Sequence, residues 1–169
     1  KLMIGAEPPA LEHHELAAGQ VVLQVNNLNL AREDQFGVDL VDVAMQVRAG
    51  EVVGIAGVSG NGQKELLYAL SGEDCRADAT MIQVFGQDAA RMGPDHRRKL
   101  GVHFVPEERL GRGAVPTMGL AHNLMLTRTD AIGASGWIHT KALEAQAKAI
   151  IARFHVKAGG PNAAAKSLS

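Results

Sequence analysis

The residues best able to do chemistry lie together between Gly57 and Glu65, in the order Gly-Val-Ser-Gly-Asn-Gly-Gln-Lys-Glu. Gly57, Gly60 and Gly62 remove side chains where a backbone must curl, so several N–H groups can turn inward toward an anion. The spacing is that of a phosphate-binding loop, G-x-x-x-x-G-K-[ST], in which Lys reaches the terminal phosphates and the hydroxyl holds Mg²⁺. Here Gln63 stands where Lys is required and Lys64 where Ser or Thr is required. Lys64 is no substitute, because one residue along a helix turns the side chain by about 100°. Gln63 donates a hydrogen bond but carries no charge, and no hydroxyl is left for a metal. The reading is a phosphate cradle made by Gly57, Ser59, Gly60, Asn61, Gly62, Gln63, Lys64 and Glu65, with no catalytic residue and no metal ligand.

Such a loop needs a strand before it and a helix after it. Val52, Val53, Ile55 and Ala56 form the short apolar run of a strand buried on both faces. Leu66, Leu67 and Leu70 give the following segment one apolar helical stripe, and Gly72 is a natural stop. The helix N-terminus then offers free N–H groups and a positive dipole end to a phosphate. Gly101 to Pro106 reads as a second buried strand, leading into the charged, glycine-rich stretch from Pro106 to Gly113. Ligands in open α/β sheets gather beyond the carboxyl ends of parallel strands, which places Glu107 near the phosphate loop. The plainer alternative is a surface salt-bridge turn.

The remaining elements follow from periodicity. Val21 to Asn27 and Val41 to Val47 alternate apolar and polar, and the polar stretch from Glu33 to Gly37 joins them as an antiparallel layer. Phe36 lies in that connection, either packed in a turn or presented to an adenine base. Thr80 to Phe85 reads as a strand, Gly86-Gln87 as a turn, and Pro94 to Leu100 as a short helix whose basic residues suit its C-terminal dipole. Leu120 to Leu126 reads as a helix. Thr140 is expected to cap a longer one carrying Leu143, Ala147, Ile150, Ile151 and Phe154 and ended by Gly159, Gly160 and Pro161. Residues 119–158 are thus expected to be mostly helical, with Trp137 and His139 in core or staple packing. Residues 5–20 read as a linker, and the His13–His14 pair lacks the carboxylate or Cys spacing of a metal site.

Composition narrows the class. A chain of 169 residues, 46% hydrophobic and 21% charged, is long enough for a real core. A formal net charge of −1 argues against a general nucleic-acid binder. Cys75 is the single cysteine, so there is no disulfide framework and a reducing cytoplasm is the natural setting. No apolar run approaches the roughly 20 residues of a membrane helix, and any membrane connection is expected to run through a partner.

The order of these parts resembles the ATP-binding subunit of ABC transporters. More closely, it is similar to the second, C-terminal nucleotide-binding domain of the double-domain ATPases that serve bacterial simple-sugar and nucleoside importers. Met3-Ile4-Gly5 resembles the end of the preceding domain in such chains. Gly50-Glu51 leading to the loop and Leu66 resembles its degenerate phosphate loop, G-x-G-[QR]-x-E-L. Val105-Pro-Glu-Glu-Arg109 before Gly113 resembles the V-P-E-[DE]-R loop, where Glu107 takes the Q-loop glutamine position. Leu120-Ala-His-Asn-Leu124 resembles the [SL]-x-x-[ED]-N-[LI] helix, with His122 where the family often has an acid. Lys166-Ser-Leu-Ser169 resembles the start of the signature L-S-G-G-N-Q, so Gly-Gly-Asn-Gln is expected to be encoded after Ser169.

The resemblance implies an α/β fold: a P-loop NTPase core of the ABC ATPase type with an antiparallel β layer and the start of a helical subdomain, incomplete at the C-terminus. It divides the chain into an inter-domain linker (1–20), the ATPase core (21–118) and a partial helical subdomain ending in the signature (119–169). It implies ATP and Mg²⁺ in the full-length assembly, with Glu107 and Ser169 joining the binding residues. The implied partners are the preceding nucleotide-binding domain of the same chain, transmembrane permease subunits and, indirectly, a periplasmic substrate-binding protein, with no nucleic acid. The implied place is the cytoplasmic face of the bacterial inner membrane. Walker B, the catalytic Glu and the switch His all follow the signature in this family, so the 169 residues are expected not to hydrolyse ATP alone and to associate through an unpaired sheet edge. A non-hydrolytic regulatory module is the main rival. A dinucleotide-binding domain is disfavoured because Glu65 breaks G-x-G-x-x-G and Asp78 precedes its strand instead of ending it.

Overall fold

The computed structural model describes residues 19–108, 110–126, 128, 133–134 and 137–168. The chain divides into two compact units, Lys1–Gly93 and Pro94–Ser169. The linker with His13 and His14, the Met3-Ile4-Gly5 motif, Arg109 and Ser169 lie outside the described residues.

The first unit is built on an antiparallel sheet. Strand β1 (Val21–Leu30) pairs with β2 (Leu40–Arg48) on one side and β3 (Ile82–Val84) on the other, and β3 pairs with β4 (Gln87–Asp88). The alternation read from the sequence is therefore realised as an antiparallel layer. Val25 and Leu28 are fully buried, and the register slips between them. At the slip Asn27 and Asp42 both take positive φ, 43° and 50°, and their side chains hydrogen-bond to each other across the pair. Asn and Asp tolerate that region better than other non-glycine residues, which is why the bulge falls there. The turn between β3 and β4 has Phe85 and Gly86 at φ 49° and 76°, the geometry that a two-residue hairpin needs.

Helix α1 (Gln63–Ser71) lays Leu66 and Ala69 into the same apolar cluster as Val25, Leu28, Leu30, Leu40 and Ile82, with Leu70 packed against it. Leu67, expected in that stripe, is instead 40% exposed. The predicted end is correct: Gly72 sits at φ 86° and returns its N–H to the Tyr68 carbonyl at 3.1 Å.

The expected strands at Val52–Ala56 and Gly101–Pro106 do not form. Both runs are apolar enough for a strand buried on two faces, but such a strand exists only between pairing neighbours. Among the described residues nothing pairs with either run, and Val52 and Val105 are 95% and 88% exposed. The expected strand at Thr80–Phe85 shortens to three residues behind a 3₁₀ turn, Ala79–Met81.

In the second unit, α2 (Pro94–Lys99) and α3 (Leu120–Leu126) stand where expected. Asn123 ties the turn before α3 together: its Oδ1 accepts from Val115 N–H at 2.7 Å and its amide donates to the Met118 carbonyl at 2.9 Å. Helix α4 (Thr140–Arg153) packs Leu143 and Ala147 on Ala121, with Leu124 and Met125 alongside. Two expectations there are corrected. His139, not Thr140, precedes the first helical residue, and α4 stops at Phe154 and His155, the latter at φ 51°, before the glycines. Trp137 is not packed in a core: it lies in a small hairpin of β5 (Gly133–Ala134) and β6 (Trp137–Ile138) and is 79% exposed.

Burial ranks the expected mutational costs. Leu28→Ala should lower the unfolding free energy of the first unit by about 3 kcal/mol, whereas Val52→Ala should change it by less than about 0.5 kcal/mol. Urea titration followed by circular dichroism compares the two, and equal losses would mean that Val52 is buried in solution.

Candidate functional site

The phosphate-loop residues occupy one exposed turn at the entrance to α1. Gly57, Ser59, Gly60 and Asn61 are all exposed, while Gly62 is buried. Gly60 and Gly62 have φ of 84° and 94°, a left-handed path that only glycine takes at little cost. Gly62 has a second duty, because a Cβ there would stand 3.2 Å from the Leu40 side chain and 3.6 Å from that of Val38. The turn is thereby seated on β2 as well as on α1.

Gly62 is also the cap of α1, and no side chain hydrogen-bonds there. The first intrahelical bond runs from Leu66 N–H to the Gly62 carbonyl at 2.9 Å. The N–H groups of Gly62 to Glu65 therefore have no partner within the helix, and the dipole adds a partial positive charge at the same point. This is an anion-binding arrangement made of backbone alone.

Each loop side chain has a definite position. Gln63 bends back over the turn: its amide donates to the Val58 carbonyl at 3.0 Å, and its Oε1 accepts from Asn61 N–H at 3.1 Å. The Asn61 amide donates to the same Val58 carbonyl at 2.9 Å. Lys64 points elsewhere, with its ammonium 5.4 Å from the centre of the Tyr68 ring. The separation in direction between positions 63 and 64 is as helix geometry requires. Glu65 is turned toward the β1–β2 connection, where its Oε1 accepts from Val38 N–H at 3.2 Å. Sequence reasoning placed Glu65 among the binding residues and missed this contact, which spans 27 positions and leaves no local signal.

That connection carries Phe36. Asp34 accepts from Phe36 N–H at 2.7 Å and Asp39 accepts from Arg32 N–H at 2.7 Å, so two aspartates fold the segment from 31 to 39 into a defined turn. Phe36 is 86% exposed on it, which removes the plainer reading of a packed turn residue. The exposed ring and the anion-binding turn belong to the same unit, and Glu65 links the connection that carries the ring to the helix behind the turn. The metal position fares differently. Position 64 carries Lys in place of the hydroxyl that would ligate Mg²⁺, and its ammonium lies over Tyr68 instead. The residues present do not fit a metal at this loop.

The phosphate loop belongs to the first unit, and Glu107 lies exposed in the second. Among the described residues no helix is long and apolar enough to cross a membrane.

No protein-family model matches the chain. Individual relatives do. It is 34% identical over 170 residues, all of this chain, to the ribose import ATP-binding protein RbsA of Halalkalibacterium halodurans, of which it covers 33%. It is 31% identical, again over the whole chain, to the nucleoside import ATP-binding protein NupA of Lactococcus lactis, covering 34% of it. It is 33% identical over 99% of its length to the xylose import ATP-binding protein XylG of Burkholderia ambifaria, covering 33% of that protein. The chain thus spans about a third of the length of the curated relatives it matches.

The two left-handed glycines of the loop differ in what surrounds them. Gly60→Ala meets open space and should cost about 1 kcal/mol for its backbone alone, whereas Gly62→Ala also crowds the Leu40 side chain, which must give way, and should cost about 2 kcal/mol. Thermal unfolding of the two variants should rank them in that order.

Proposed function

We propose that this chain belongs to the ATP-binding proteins of ABC importers for simple sugars or nucleosides, and that it is their second nucleotide-binding domain. The observation that carries the reading is the whole-chain likeness to import ATP-binding proteins for ribose, xylose and nucleosides. The uncapped N-terminus of α1 behind a left-handed glycine turn supports it, since that is where a nucleotide's phosphates would lie. The domain division is 21–118 for the ATPase core and 119–169 for the start of the helical subdomain, preceded by the linker 1–20.

In this reading the backbone from Gly57 to Glu65 holds the phosphates of ATP and Phe36 stacks on the base. Glu65, through Val38, fixes the Phe36 turn against the helix that carries the loop. Glu107 and Ser169 serve as Q-loop and signature residues. Hydrolysis depends on a preceding nucleotide-binding domain, where the signature beginning at Leu168 and Ser169 faces an intact loop. ATP binding then drives permease subunits at the cytoplasmic face of the membrane, with a periplasmic binding protein choosing the substrate. Mg²⁺ is held by that intact site, not by this loop, which has no ligand for it.

Gln63 and Lys64 favour one alternative, a module that binds nucleotide and regulates without turnover. A positive charge where phosphoryl-transfer charge develops is worth several kcal/mol of barrier, and this loop has none directed there.

Two measurements test the reading. Phe36→Ala should weaken ATP binding about tenfold while leaving inorganic triphosphate nearly unaffected, because only the base contact is lost. An equal loss for both ligands would remove Phe36 from the site. Gln63→Lys combined with Lys64→Ser should raise turnover in the complete protein if the missing charge and hydroxyl limit this site. Tight ATP binding with unchanged turnover would favour the regulatory module.

A further inference from the structure

We propose that Gln63 is a latch whose carboxamide keeps the loop closed by taking the Asn61 N–H in competition with a phosphate oxygen. The inference rests on the reading of this loop as a phosphate site and adds what its substituted residue does there.

Three hydrogen bonds close a small ring. Gln63 donates to the Val58 carbonyl and accepts from Asn61 N–H, and Asn61 donates through its own side chain to the same Val58 carbonyl. Gln63 is half-buried at the first position of α1, so its side chain crosses the mouth of the turn instead of pointing into solvent. Gly57 records how closely it lies: a Cβ at that residue would fall 2.4 Å from the Gln63 amide nitrogen. A side chain at position 57 would therefore have to push the Gln63 carboxamide out of its present place.

The chemistry of the two candidate side chains separates their roles. A lysine at position 63 has only donors, so it can bridge to the Val58 carbonyl but cannot occupy a backbone N–H. A glutamine has a donor and an acceptor on one rigid amide. Its acceptor takes an N–H of the kind that an incoming anion would use. The substitution therefore does two things: it removes a charge, and it fills one of the loop's own anion-binding donors. A phosphate group must displace Oε1 from Asn61 before it gains that contact.

The test uses the full chain, inorganic triphosphate as the probe, and exchange of the Asn61 amide measured by NMR without ligand. Gln63→Met keeps the length and loses both hydrogen bonds. It should speed Asn61 exchange and tighten triphosphate binding roughly five- to tenfold, the effect of one or two neutral hydrogen bonds no longer opposed. Gln63→Lys should also release Asn61 and bind tighter still. Gln63→Glu keeps the acceptor, adds a negative charge and should abolish binding.

Asn61 exchange that is the same in wild type and Gln63→Met would overturn the latch, whatever binds. Weaker binding in both Met and Lys variants would overturn it too, showing Gln63 to be a brace that phosphate needs. If Asn61 is released but no variant binds triphosphate, the competition fails along with the phosphate-site reading, and only the closed turn stands.

Discussion

Burial of Leu66 and Ala69 in the cluster that also contains Leu28, Leu30, Leu40 and Ile82 is the contact on which the rest of the first unit depends. It fixes the direction and depth of α1, and the loop is simply what precedes α1 in the chain. Gly62 completes the arrangement by lying against Leu40 and Val38, so the turn touches the strand that the helix covers. The β1–β2 connection is tied back to the helix through Glu65 and Val38. A modest apolar contact thus sets the place of an exposed polar site that contributes nothing to the core itself.

The parts of this architecture with a local cause could be read in the residues. Alternation in β1 and β2, the apolar stripe and terminal glycine of α1, and Pro94 opening α2 each follow from neighbours a few positions away. The run from Val52 to Ala56 could not be settled that way. Its composition says that it suits a strand covered on both faces, but whether it becomes one depends on partners that the run does not specify. Trp137 misled for a related reason, since its size argues for burial while the short hairpin around it provides no covering layer.

The candidate site was legible in outline and opaque in its contacts. Glycine spacing located the loop, and the residues at 63 and 64 marked it as altered. That Gln63 folds back onto Val58, that Lys64 turns to Tyr68 and that Glu65 reaches Val38 depend on side-chain directions set by the packed helix. Likeness to import ATP-binding proteins over a third of their length adds the chemical context in which such a loop makes sense.

Gly62 has one more consequence, and it concerns what can drift. Its left-handed backbone and its seat against Leu40 belong to the fold, while the side chains at 63 and 64 project away from that seat. The fold therefore constrains Gly62 through its backbone and its seat, whereas Gln63 and Lys64 are held only by contacts local to the loop and helix, with Val58, Asn61 and Tyr68. The shape of the turn and the chemistry of its side chains are thus separable properties: the first is written into the apolar packing, the second is not.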